Sequence, residues 1–146
     1  MGTPTGHIRP RSIYLLRRDA EVLLIDWHDE YTGQPVWLAP GGSIEHGETA
    51  LAAAHRELHE ELGVTAVDLQ HLVTFENIFE YGGATGHEVC FVFEAAAPHA
   101  ISSLHEVPGV ESDGVAMRLL WVPPGDLELP LRPLWPAPLL PFLTRT

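Results

Sequence analysis

The segment from Glu48 to Leu62 is the feature that most constrains the fold, because it reads as the one long helix in a chain otherwise made of strand-sized apolar runs. It is rich in Ala, Leu and Glu, and Gly63 stands where a left-handed C-terminal cap belongs. Leu51, Ala54, Leu58 and Leu62 recur at helical spacing and are expected to form its buried stripe. Before it, Ile13–Leu16 and Val22–Ile25 are apolar runs separated by a charged turn, and Val36–Leu38 is a brief strand stopped by Pro40-Gly41-Gly42. After it come Leu72–Phe75 and Val89–Phe93, joined through Gly82-Gly83-Ala84-Thr85-Gly86, then a polar loop over residues 97–117 and a last strand, Leu119–Val122. Strands on both sides of one helix predict a mixed-sheet α+β or α/β sandwich. The 146 residues suit one domain, 1–146, with a loose leader over 1–7 and a proline-rich segment over 123–146 whose prolines interrupt any long helix.

The helix carries a conflict. At about 100° per residue, Glu57 and Glu61 lie roughly 40° apart, and Glu60 joins them in an arc of about 100° that is expected to point away from the core stripe. Like charges at these spacings destabilise a helix, and its C-terminal dipole end disfavours negative charge. A hard divalent cation, which prefers oxygen ligands, resolves that conflict. The alternative is a solvated acidic face. Gly41 and Gly42 precede the helix, where glycine lets backbone approach a ligand closely and offer a carbonyl. Glu48 and Arg56 are two turns apart, so pairing them requires the chain before the helix to fold back.

The charge bounds the partners. The formal net charge is −12, and every basic residue is arginine. Without a basic run, such a chain is expected to repel nucleic acid and anionic membranes, while bound cations still admit small anions. No apolar run is long enough to span a bilayer, no secretory signal opens the chain, and the lone Cys90 cannot form an intrachain disulfide. These features favour the cytoplasm. Cys90 sits in an apolar strand and reads as core rather than nucleophile.

The residues from Gly42 to Val64 resemble the complete Nudix box. Gly42, Glu48, Arg56, Glu57, Leu58, Glu60, Glu61, Gly63 and Val64 fill its nine defined positions at fixed spacing. The resemblance implies a Nudix-type α/β/α sandwich with a mixed sheet and a loop–helix–loop motif. It implies a hydrolase that cuts the phosphoanhydride bond of a nucleoside diphosphate linked to another group, using Mg2+, with Mn2+ able to substitute. Glu57, Glu60 and Glu61 would bind the metal with a carbonyl of Gly41 or Gly42, and Glu48 with Arg56 would form a bracing ion pair. A general base could come from the helix or from a later glutamate, with Glu111 and Glu88 the candidates and Glu106 beside them; Glu45 could reach a metal. Arg9 and Arg11, two apart on the first strand, could grip a substrate phosphate. Trp37, Phe79, Tyr81 and Trp121 could stack on a base, with Trp37 and Trp121 expected in the core. Tyr81 stands where family members acting on diadenosine polyphosphates often carry tyrosine, so that class, ADP-ribose and nucleoside triphosphates all remain open as small nucleotide-derived substrates. The rival readings are a non-catalytic Nudix-fold nucleotide sensor, an isoprenoid diphosphate isomerase, which Cys90 fits poorly, and an acidic cation buffer. A homodimer, with the proline-rich tail at its interface, is a further expectation of the resemblance.

Overall fold

The computed structural model describes residues 4–144; the first three residues of the expected leader lie outside them. The elements are β1 (Ile8–Arg18), β2 (Glu21–His28), β3 (Pro35–Leu38), β4 (Gly41–Ser43), α1 (Ala50–Leu62), β5 (Gln70–Tyr81) and β6 (Ala84–Ala96). They continue as α2 (His99–Ser102), β7 (Glu106–Val110), β8 (Ala116–Val122), α3 (Pro124–Leu127), β9 (Leu134–Trp135) and α4 (Leu140–Leu143). One nine-stranded mixed sheet has the order β5-β6-β1-β2-β3-β9, with β4 also on β1 and the β7–β8 pair also on β2. The β1–β6 and β3–β9 pairs are parallel, and the rest are antiparallel.

Why the first apolar run is unbroken is now plain. Strand β1 is covered on both faces, so alternate residues serve two cores. Tyr14 and Leu16 join Leu23, Ile25, Leu58 and Leu119 beneath α1. Ile13 and Leu15 join Val22, Leu24, Cys90 and Val92 on the opposite face, under Leu127, Leu134, Leu139 and Leu143 of the C-terminal segment. Proline does keep that segment to short helical turns, and its Leu127, Leu134, Leu139 and Leu143 close the second core. Arg132 anchors it: its guanidinium pairs with Asp26, donates to the Val36 carbonyl and lies 3.6 Å over the Trp37 ring. Trp121 is buried as expected, under the Arg18 guanidinium.

Several expectations need correction. Residues 97–117 are not one polar loop: β7 lies within them, placing Val107 and Gly109 against the core while Pro108 occupies an outward position. The strand expected over Val89–Phe93 runs from Ala84 to Ala96 and so takes in Glu88. The helix begins at Ala50, with the Thr49 hydroxyl capping the Ala52 amide at 3.1 Å and Gly63 ending it in the left-handed conformation. Its buried face comprises Ala53, Ala54, Glu57, Leu58 and Glu61, while Leu51 is 41% exposed. The helix is therefore turned toward the alanines, whose small side chains let it approach β1 and β4. That rotation carries Glu57 and Glu61 inward instead of away from the core. Among the described residues no helix is long and apolar enough to cross a membrane.

Candidate active site

The loop before α1 is held by the fold-back anticipated for Glu48 and Arg56. Arg56 donates through Nε to one Glu48 carboxylate oxygen at 2.7 Å and through Nη2 to the other at 2.9 Å. The same guanidinium reaches the Ser43 carbonyl at 3.0 Å, and Glu48 also accepts from the Glu45 amide at 3.1 Å. Two parallel charge-assisted bonds fix orientation as well as distance. The Arg56 bonds hold the Glu48 carboxyl down at about 2, helped by the Glu45 amide. Ser12 ties β1 to the helix start by donating to the Ala50 carbonyl at 2.6 Å.

This frame presents Glu57 and Glu61, only 8% and 9% exposed, to one cavity of about 670 Å³. Glu57 accepts from Arg56 at 2.9 Å, and Glu61 accepts from the Tyr14 hydroxyl at 2.9 Å. Burial, assisted by the neighbouring Glu57 charge, pushes the Glu61 carboxyl up to about 8 against the opposing pull of Tyr14. The Tyr14 hydroxyl is itself raised well above its ordinary value, by burial first and then by Glu61, so it stays a donor. Glu60 shares the cavity but stands at its exposed edge, 3.4 Å from Arg56. Glu111 faces the helix from the loop after β7, and burial raises its carboxyl too.

Glycine is required at the floor. A Cβ on Gly42 would lie 2.2 Å from Glu57 Oε1, and one on Gly41, whose φ is +153°, would lie 2.0 Å from the Ser12 carbonyl oxygen. We expect Gly42→Ala to displace the Glu57 carboxylate while leaving the far core intact. Its activity should fall at least about a hundredfold with a smaller change in melting temperature, read by steady-state kinetics beside a thermal melt.

The cavity wall carries Glu30, Glu45, Glu57, Glu60, Glu61, Glu111 and Asp113 against Arg9, Arg11 and Arg56. Carboxylate oxygens in that number, with two of the groups buried, fit hard divalent cations. As the side chains stand, no three acidic, histidine or cysteine groups among the described residues converge into a finished cage. Glu57 is turned to Arg56 and Glu61 to Tyr14, and both contacts are made by rotatable side chains.

The remaining sequence candidates separate. Arg9 donates to the Ser43 hydroxyl at 2.6 Å and stays partly open to the cavity. Arg11 is buried and donates to the Ala39 carbonyl at 2.7 Å, at a boundary shared with a second, smaller cavity. Glu88 is not brought to the carboxylates of α1: it lines that second cavity, with Arg9 and Arg11 at 3.9 and 3.8 Å. Tyr81 lies there as well, edge-on to Tyr31 and Trp135. Glu106 pairs with Arg118 on the exposed side of β7 and does not line the carboxylate cavity. Cys90 is fully buried, with its thiol pushed up to about 12 by burial, as expected of a core residue. Sequence reasoning missed Tyr14 and Trp27, whose buried indole Nε1 has no hydrogen-bond partner among the described residues and sits on the cavity wall. Tyr14 was hidden in an apolar run; its hydroxyl was the available signal.

A NUDIX domain family model matches residues 6–143, and the chain belongs to that family. A MutT NUDIX hydrolase from Burkholderia pseudomallei is similar in structure, with a TM-score of 0.62 and 29% identity, covering 86% of this chain and 90% of that one. A Bacillus halodurans protein described as a mutator MutT protein shares the fold at a TM-score of 0.61 and 24% identity, over 92% of this chain and 80% of that one. The RNA pyrophosphohydrolase of Aeromonas hydrophila is 38% identical over 69 residues, which is 47% of this chain and 37% of that protein. That of Serratia proteamaculans is 39% identical over the same shares. The match thus spans little more than a third of the curated relatives' length. Nudix hydrolases generally use divalent metal ions, in keeping with the oxygen-rich cavity.

Proposed function

We propose that the protein is a magnesium-dependent pyrophosphohydrolase of a small nucleotide. The observation that carries this reading is the buried Glu57–Glu61 pair on the wall of an open, acidic cavity. Burying two like charges side by side is costly, and cations offset that cost. Glu57 and Glu61 would hold the metal, with Glu60 at the rim and a carbonyl from Gly41 or Gly42. Bound there, magnesium supplies charge neutralisation of the diphosphate and acidification of water.

The chain's own residues do the rest. Arg9 meets phosphate oxygens at the cavity mouth, and Trp27 offers an indole N–H. Glu111, a half-buried carboxylate across the cavity from the helix, takes the proton of the attacking water; its raised basicity suits that task. The water oxygen attacks one phosphorus, the bridging P–O bond breaks, and the bridging oxygen leaves on the other phosphate. Arg56 and Glu48 touch no reacting atom: they position Glu57.

The relatives named RNA pyrophosphohydrolase support pyrophosphate chemistry. The net charge of −12 and the acidic wall favour a small nucleotide over a long polyanion. Nucleoside triphosphates, diadenosine polyphosphates and ADP-ribose all carry the necessary anhydride. The absence of any pairing partner for Cys90 within the chain favours a cytoplasmic setting. The test is incubation with these compounds and a 5′-triphosphorylated RNA oligonucleotide, with magnesium, manganese or chelator, in 18O-labelled water. Labelled mononucleotide, phosphate or pyrophosphate should form from a small nucleotide with metal only. Failure to cleave any of them overturns the reading. Glu111→Gln should lower kcat about a hundredfold with little change in KM.

A further inference from the structure

Apart from the catalytic carboxylates and the hydrogen-bonded Ser12, the buried polar residues among the described ones are Arg11, Asn77 and Glu88, at 7%, 9% and 5% exposure. They lie together. Asn77 and Glu88 are direct cross-strand partners on β5 and β6, and Arg9 is the register partner of Glu88 on β1, two residues before Arg11. The three line one pocket of about 170 Å³ beneath the C-terminal segment, walled by Phe79, Tyr81 and Trp135. That is room for one ring system rather than a whole nucleotide.

Their own hydrogen bonding is incomplete. Among the described residues the Asn77 side-chain amide has no hydrogen-bond partner. Glu88 receives nothing closer than the Cys90 thiol at 3.5 Å and the two guanidiniums at 3.8 and 3.9 Å. Buried polar groups are normally satisfied, and a set left open around an aromatic-walled pocket is built for a polar ligand. Arg11 and Leu38 line both this pocket and the carboxylate cavity. A nucleotide whose anhydride lies over Glu57 and Glu61 can therefore place its base here.

We propose that this pocket reads guanine. Glu88 accepts from the ring N1–H and the 2-amino group, Asn77 donates to the 6-oxo oxygen, and Arg11 holds Glu88 in place from the phosphate side. Adenine presents an unprotonated N1 to the carboxylate and is repelled; hypoxanthine lacks the amino donor; the pyrimidines offer Glu88 no pair of adjacent donors of this kind. Phe79 and Trp135 supply the apolar walls for the ring faces. The inference rests on the small-nucleotide reading above, and names its base.

The experiment has a binding arm and a turnover arm. Calorimetry on the intact chain compares guanosine, inosine and adenosine 5′-monophosphates, which have no anhydride to cleave. Guanosine monophosphate should bind at least about thirtyfold tighter than adenosine monophosphate, with the inosine compound between them. Glu88→Gln introduces a donor facing two donors and should erase that preference; Asn77→Leu should narrow it about tenfold even if the Glu88 variant does not fold. Equal binding of the three by the wild-type chain, or a preference unchanged in both folded variants, overturns the inference. In turnover, kcat/KM for guanosine triphosphate should exceed that for adenosine triphosphate by the same factor. Equal cleavage of both leaves the hydrolase reading standing and overturns the pocket assignment. A guanine preference in binding without cleavage of any nucleotide supports the pocket and overturns the hydrolase reading.

Discussion

Glu57→Gln is expected to lower kcat by about a thousandfold or more, with the chain still folded. The substitution keeps the shape of the side chain and its contact with Arg56 while removing the charge. Loss of one preorganised electrostatic contact to a transition state costs about 2.7–4 kcal/mol, a factor of a hundred to a thousand. Glu57 is buried, and we assign it to hold the cation and through it the diphosphate, so the effect belongs at the upper end of that range. Steady-state kinetics at saturating metal read it. Weakened metal binding with full activity restored at high magnesium would instead make Glu57 an affinity determinant only. Retention of turnover at ordinary metal concentration would remove it from the site.

The second large effect is on stability, and it runs opposite to activity. In the unfolded chain Glu61 titrates near its ordinary 4.5; in the folded, metal-free chain burial raises it to about 8. Between those values the folded chain holds a proton that the unfolded chain has released. Stability therefore falls as pH rises through that window, and the full penalty persists above pH 8. Glutamine has no charge to bury and can still accept from the Tyr14 hydroxyl. Metal-free Glu61→Gln should then melt above wild type at pH 8, by about 2 kcal/mol or roughly 5 °C, with the difference closing toward pH 4.5. Magnesium should reverse the order, since it stabilises only the chain that binds it. Melting curves at pH 5 and pH 8, with and without magnesium, read all four states. A metal-free variant less stable than wild type at both pH values would contradict the burial penalty assigned to Glu61.

Both expectations depend on a helix rotation that periodicity did not give. Composition and Gly63 located α1 and its end correctly, because capping is local chemistry. Leu51 misled, since the sheet selects the face holding Ala53 and Ala54, and no pattern within the helix encodes how closely a distant strand approaches. Likewise β7 was obscured by Pro108 and Gly109, which weaken a strand signal though both fit an outer pair with β8. The Glu48–Arg56 brace spans eight residues and closes only because the loop before α1 folds back.

Long-range pairing decided the rest. Parallel alignment of β1 with β6 places Arg9 beside Glu88 across 79 positions of sequence, and β5 adds Asn77. That alignment moved Glu88 from candidate base to the wall of a separate pocket. Glu111 came to the cavity because β7 packs near α1, a consequence of a strand that the sequence did not reveal. The glutamates of the helix, by contrast, were legible at once, since three like charges at neighbouring helical positions are a local cost that the one arginine beside them, Arg56, does not neutralise.

The most direct test of the account is isothermal titration of manganese into the wild-type chain and a Glu57→Gln/Glu61→Gln double variant. Saturable binding to the wild type, absent from a folded double variant and matched by its loss of nucleotide cleavage, is the expected result. Equal manganese binding by both chains, or nucleotide cleavage by the wild type that continues in chelator, would contradict it.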